Sequence, residues 1–149
     1  MKVLFVCTGN MCRSPAAEKL LTLYGAGAGF KARSRGTAVQ PYCGMSPQVE
    51  NFLKRVGAAD TAHKSVQVAE EDINWADLII VMESVHAAIL ADKFPHSARK
   101  TRLFACGEVL DPMGKGDKVY EEVLNRIKEE IMKFIAGQRG GQAAGQPGD

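Results

Sequence analysis

The sequence predicts an α/β fold of three layers, a four-stranded parallel sheet with helices on both faces. Three observations carry this expectation. The chain opens on an apolar run, Lys2-Val3-Leu4-Phe5-Val6, that leads through a short loop into a helical pattern. A second run, Asp77-Leu78-Ile79-Ile80-Val81-Met82, is continuous rather than alternating, as in a strand buried on both faces. Helical patterns separate these runs from each other and from two weaker strand candidates, which is the spacing of crossover connections.

The first strand is expected at residues 2–6. Pro15 suits the first turn of the next helix, which presents Ala16, Ala17, Leu20, Leu21 and Tyr24 and ends in the glycine-rich stretch 25–29. Residues 30–35 make a weakly apolar second strand suited to a sheet edge. Ser46 and Pro47 read as an N-cap and a first-turn proline, with Val49, Phe52, Leu53 and Val56 on one helical face and Gly57 closing it. A short helix at 70–75, the central strand at 77–82 and a helix at 84–90 follow, then a fourth strand at 102–105. Residues 111–116 must be a loop, because one proline and two glycines break either periodicity. The last helix, capped by Asp117, carries Val119, Val123, Ile127 and Ile131 on one stripe, broadened by Leu124 and Ile135. The chain thus divides into one domain, residues 1–136, and a Gly/Gln-rich tail, residues 137–149, expected to be disordered.

A single domain agrees with 149 residues of which 46% are apolar and 24% charged. The net charge of +2, with lysines and arginines scattered, offers no basic stripe, so neither nucleic acid nor a membrane is expected as a partner. The apolar run ahead of Cys7 is too short for a signal-peptide core or a membrane span, and a cytoplasmic location is expected. Cys7, Cys12, Cys43 and Cys106 form neither a disulfide framework nor a zinc-ligand spacing, so no metal is expected.

Between the first strand and the first helix stands Cys7-Thr8-Gly9-Asn10-Met11-Cys12-Arg13-Ser14-Pro15. Such a loop can wrap an oxyanion, with the N–H groups of Thr8, Gly9, Asn10, Met11, Cys12, Arg13 and Ser14 turned inward and the helix dipole behind them. A thiol at the mouth of that ring should be held as a thiolate, its pKa lowered, ready to attack phosphorus in line. Arg13 suits two phosphoryl oxygens because its planar fork donates parallel bonds, which lysine could not reproduce. Cys12 stands only one step from Arg13 and cannot close the same ring. It reads either as a disulfide partner for Cys7 under oxidation or as a packing residue. Asn10 tolerates the left-handed conformation that such a turn can require. Phosphoryl transfer also needs a proton for the leaving oxygen and a base for water; Asp111 is the candidate for both, with Asp117 as the nearest rival.

The segment from Cys7 to Pro15 resembles the signature of the low-molecular-weight protein tyrosine phosphatases. Ser34-Arg35-Gly36-Thr37, His63-Lys64-Ser65, Asp77-Leu78-Ile79-Ile80-Val81-Met82-Glu83 and Leu110-Asp111-Pro112 match in the family's order, so the likeness covers most of residues 1–135. The resemblance implies a cofactor-free hydrolase that removes phosphate from phosphotyrosine on protein substrates through a cysteinyl phosphate at Cys7. It implies that phosphate or a similar oxyanion occupies the site and that Asp111-Pro112 overhangs it. It further implies that Asn10, Ser14, Ser34 and His63 support the loop, and that Ser14 donates to the Cys7 sulfur. His86 and His96 have no such context and are expected on a helix surface and in a loop.

Two other activities share these features. A bacterial branch of the family, similar in its Cys-Thr-Gly-Asn start and Leu-Asp-Pro-x-Gly segment, acts on phosphoarginine but carries threonine where Met11 stands, whereas many tyrosine-specific relatives carry aromatic residues where this chain has Met113-Gly114. Arsenate reductases of related fold need a further cysteine pair in the segment corresponding to residues 83–96, which here contains none. Gly114-Lys115 lacks the flanking residues of a nucleotide-binding loop, and the glycines at 25–29 miss the dinucleotide pattern.

Overall fold

A computed structural model describes residues 1–145, with side chains to residue 139. Strand β1 (Lys2–Cys7) pairs in parallel with β2 (Lys31–Gly36) on one side and β3 (Leu78–Val81) on the other, and β4 (Thr101–Arg102) extends the sheet beyond β3. The order β2-β1-β3-β4 places the reversal of strand order at β1. Ligands of open parallel sheets bind beyond the carboxyl end of the strands at that switch point, and Cys7 is the last residue of β1.

Helices α1 (Arg13–Tyr24), α2 (Pro47–Val56) and α5 (Asp117–Gly145) cover one face, where Val3, Phe5 and Cys7 pack with Leu20, Phe52 and Ile127. Helices α3 (Glu70–Trp75) and α4 (Ser84–Lys93) cover the other, where Leu4 and Val6 meet Ile73 and Leu90. The two-residue period of the strand decides which side chains go where, and it sends Cys7 the same way as Phe5. The expected three-layer parallel sheet is therefore the observed one.

The fourth strand is displaced from its expected position. The ladder forms at Thr101 and Arg102, opposite Ile79 and Ile80, rather than at residues 102–105. Phe104 instead opens a tight turn, accepting a bond from the Gly107 amide at 2.9 Å, and its ring packs 6.2 Å from that of Phe5. Its apolar character serves the core, not the ladder.

Helix α5 does not stop at Gly137 but continues to Gly145, across most of the stretch expected as a disordered tail; residues 146–149 lie outside those described. A helix already nucleated by a packed stripe propagates through glycine at a cost of only about 1 kcal/mol per residue, too little to enforce a boundary. Among the described residues no helix is long and apolar enough to cross a membrane.

Candidate active site

The loop after β1 is shaped by where its carbonyls go. The carbonyl of Cys7 accepts from the Thr37 amide, that of Thr8 from Ala38 and that of Met11 from Ser46, each at 2.9 Å, while Cys12 O accepts from Ala16 at 3.1 Å. In a trans peptide the next N–H points opposite to the carbonyl, so the amides of Thr8, Gly9, Cys12 and Arg13 face the other way, into the cradle. Asn10 turns the chain with φ of 56°, the left-handed conformation the sequence anticipates. Gly36 makes room underneath: a Cβ there would lie 2.6 Å from the Thr8 carbonyl oxygen.

Asn10 is fully buried and is held from several sides. Its carbonyl accepts from His63 Nε2 and from Ser65 Oγ, both at 2.8 Å, and its Oδ1 accepts from the Val66 amide at 2.9 Å. Burial pushes the His63 pKa down, so the ring is neutral and carries its hydrogen on Nε2 to donate. Asn10 Nδ2 donates to Ser14 Oγ at 2.8 Å, and Ser14 Oγ lies 3.0 Å from Cys7 Sγ. With the Ser14 lone pair occupied by the amide, its hydrogen is free for the sulfur or for the more distant Arg35 carbonyl at 3.3 Å. Ser65, two residues after His63, is a further support that the resemblance did not name.

Ser34 is not part of this support. It pairs in register with Phe5, two residues short of the Cys7–Gly36 rung, and its hydroxyl donates to Glu18 Oε1 of α1 at 2.6 Å. Side chains at paired positions share a face, so Ser34 follows Phe5 toward α1, where Glu18 takes its hydroxyl.

Arg13, 2% exposed, opens α1. Its Nη1 donates to Glu83 Oε2 at 2.5 Å and to the Val109 carbonyl at 2.9 Å. Both Nη1 hydrogens are thereby committed, and the Nε–Nη2 edge remains for an oxyanion. Glu83 lies two residues beyond β3 and immediately precedes α4. His86, expected at a helix surface, is fully buried instead: Nδ1 accepts from the Glu83 amide at 3.0 Å and Nε2 lies 2.9 Å from Thr8 Oγ1. Burial, aided by the charge of Arg13, pushes its pKa down.

Asp111 reaches in from the loop before α5. Its Oδ2 lies 3.7 Å from Arg13 Nη2 and its Oδ1 accepts from the Met113 amide at 3.1 Å. Asp117 is the first residue of α5, accepts from Gln48 Nε2 at 3.4 Å and is not among the residues lining the cleft. Cys12 faces the back: its sulfur lies 2.9 Å from Ser46 Oγ and 3.5 Å from the Tyr120 hydroxyl. Burial pushes the Cys12 thiol up, and burial together with the Cys12 contact pushes Tyr120 up to about 12, so both stay protonated and neutral near pH 7. All four cysteines are free thiols. Cys7, Thr8, Gly9, Met11, Cys12, Arg13 and Asp111 line one cleft of about 200 Å³, walled by Ala38, Gln40 and Met113. Among the described residues no group of three or more His, Cys, Asp or Glu side chains is disposed to hold a metal.

This geometry can present a sulfur, a bidentate guanidinium edge and a carboxyl to one phosphoryl group. Comparison with known proteins places the chain in a family. The chain is 32% identical over 143 residues to a protein-arginine-phosphatase of Geobacillus stearothermophilus, covering 87% of this chain and 95% of that protein. It is also 32% identical over 141 residues to the low molecular weight protein-tyrosine-phosphatase PtpB of Staphylococcus aureus, covering 90% and 96%. Among solved structures, the arginine phosphatase YwlE, as a Cys-to-Ser mutant with a phosphorylated active-site serine, superimposes with a TM-score of 0.87 at 28% identity over 93% of this chain and 96% of that one. The model of one family, low molecular weight phosphotyrosine protein phosphatase, matches residues 2–142 and so spans every segment that builds the cleft. On sequence and on fold, the chain belongs to that family.

Proposed function

We propose that this protein hydrolyses phosphotyrosine on protein substrates, with Cys7 as nucleophile, Arg13 as phosphoryl clamp and Asp111 as general acid and then base. The observation that carries this reading is the convergence of those three side chains, from three separate segments, on one cleft at the switch point of the sheet. Cys7 sulfur attacks phosphorus as the P–O bond to the tyrosine breaks, and the Asp111 carboxyl gives its proton to the departing oxygen. Charge spreading over the equatorial oxygens is met by the inward amides and the Nε–Nη2 edge of Arg13. Asp111, now a carboxylate, takes a proton from water as the water oxygen bonds phosphorus and the S–P bond breaks. Ser14 Oγ, 3.0 Å from the sulfur, donates to it as it leaves. The phosphorylated serine in the Cys-to-Ser form of YwlE supports a covalent route. Free cysteines, one of them the nucleophile, suit the reducing cytosol.

Choice of substrate rests on the walls. Met11, Met113 and Ala38 offer apolar surface to an aromatic ring, and among the cleft's lining residues Asp111 is the single carboxylate and already faces Arg13. A phosphoarginine guanidinium would find no further acidic partner among them. The second reading, a protein arginine phosphatase, is supported by relatives of both names at equal identity. Parallel turnover of phosphotyrosyl and phosphoarginyl peptides decides between them, and faster N–P cleavage reverses the order. Cys7→Ser should abolish hydrolysis of either peptide while leaving binding measurable by calorimetry. Retained hydrolysis would remove Cys7 from the mechanism.

A further inference from the structure

His86 has both ring nitrogens engaged, and the sense of each bond is fixed. The backbone N–H of Glu83 can only donate, so Nδ1, 3.0 Å away, is the unprotonated acceptor. The neutral ring then carries its hydrogen on Nε2, which lies 2.9 Å from Thr8 Oγ1. Thr8 Oγ1 must therefore accept from His86, and its own hydrogen must point elsewhere. Thr8 is exposed, directly follows Cys7 and lines the cleft. The same ring fixes the Glu83 amide, and Glu83 in turn carries Nη1 of Arg13.

We propose that His86 is a positioning residue that turns the Thr8 hydroxyl into a hydrogen-bond donor for the substrate's phosphoryl group. The proposal rests on the reading of the cleft as a phosphoryl-transfer site and adds a side-chain donor to its ring of amides. A hydroxyl free to rotate would spend much of its time bonded to water or aimed away. Held by His86 on its lone-pair side, it meets the incoming phosphoryl oxygens already oriented.

Thr8→Val keeps the shape and removes the donor. It should lower kcat/KM on an aryl phosphate about tenfold and weaken competitive inhibition by inorganic phosphate by a similar factor, whereas Thr8→Ser should stay within about threefold of the parent. The role of His86 shows as coupling: in a His86→Ala background, Thr8→Val should cost less than about twofold. An equal tenfold cost in both backgrounds overturns the link to His86, and no cost in either overturns the role of Thr8. Nitrogen-15 NMR of the unaltered protein, which depends on no variant folding, should show His86 neutral with its hydrogen on Nε2. A hydrogen on Nδ1 overturns the proposal. Failure of the unaltered protein to hydrolyse any phosphoester would sink the phosphatase reading itself, while the NMR signature of the His86–Thr8 bond would persist, so the two failures are distinguishable.

Discussion

The floor of the cleft is held by buried side chains that each serve several partners, whereas its rim is made of exposed residues with one bond or none. Asn10, wholly inaccessible, bonds to His63, Ser65, Val66 and Ser14. Asp111 is 48% exposed at its side chain and is steadied by the Met113 amide and a 3.7 Å approach to Arg13, while Met113 is 48% exposed. In the proposed mechanism the steps common to every phosphoryl ester fall to the part that is over-determined. Proton delivery and the choice of leaving group, which differ between substrates, fall to the part that can shift.

Substitutions on the two sides should fail differently. Asp111→Ala should slow turnover of substrates with poor leaving groups by about 10²–10⁴-fold and spare activated aryl phosphates, with no change in thermal stability. An equal loss on all substrates would move Asp111 to the structural side. Asn10→Ala, on the floor, should lower both activity and stability, by about 2–4 kcal/mol for the latter, since it forfeits buried bonds and puts alanine in a left-handed turn. Asn10→Gly recovers the backbone part alone, so comparing their urea midpoints separates conformation from bonding.

A pH series probes the floor as a whole. His63 and His86 both have pKa values pushed below the ordinary histidine value by burial. Below about pH 6.5 the unfolded chain takes up protons that the native state refuses, so stability contributed by the neutral rings is full above that pH and is lost as pH falls toward the depressed values. Urea midpoints should fall between pH 7 and pH 5, and the fall should shrink in His63→Gln. Smallest of all is Ser34→Ala: with its hydroxyl on Glu18 rather than on the loop, kcat/KM should stay within about twofold. A loss comparable to that of Asn10→Ala would return Ser34 to the floor.

What the sequence disclosed follows the same division by distance along the chain. The placement of the proposed nucleophile, of Arg13 and of the left-handed Asn10 was legible because strand, loop and helix are contiguous, and local chemistry alone orders them. Residues joined to that loop from afar were less so. His86 and Glu83 sit at the carboxyl end of a different strand, and whether a side chain there faces solvent or the loop depends on how β3 registers against β1. Their signal was available in principle: a carboxylate just past the central strand and a histidine three residues later, in the first turn of the next helix. Ser34 was misplaced because order of motifs says nothing about how many rungs separate a residue from the site. The end of α5 escaped because composition marks weak helix formers, not where an established helix stops.

Arg13 is held in place by the protein's own groups. Its Nη1 is fastened to Glu83 and to the Val109 carbonyl before any ligand arrives, so the guanidinium does not have to be recruited from a swarm of rotamers. Immobilising a long side chain on binding ordinarily costs about 0.5–1.5 kcal/mol. Here that ordering belongs to the folding of the protein, and product release leaves the empty cradle set for the next turnover without a search.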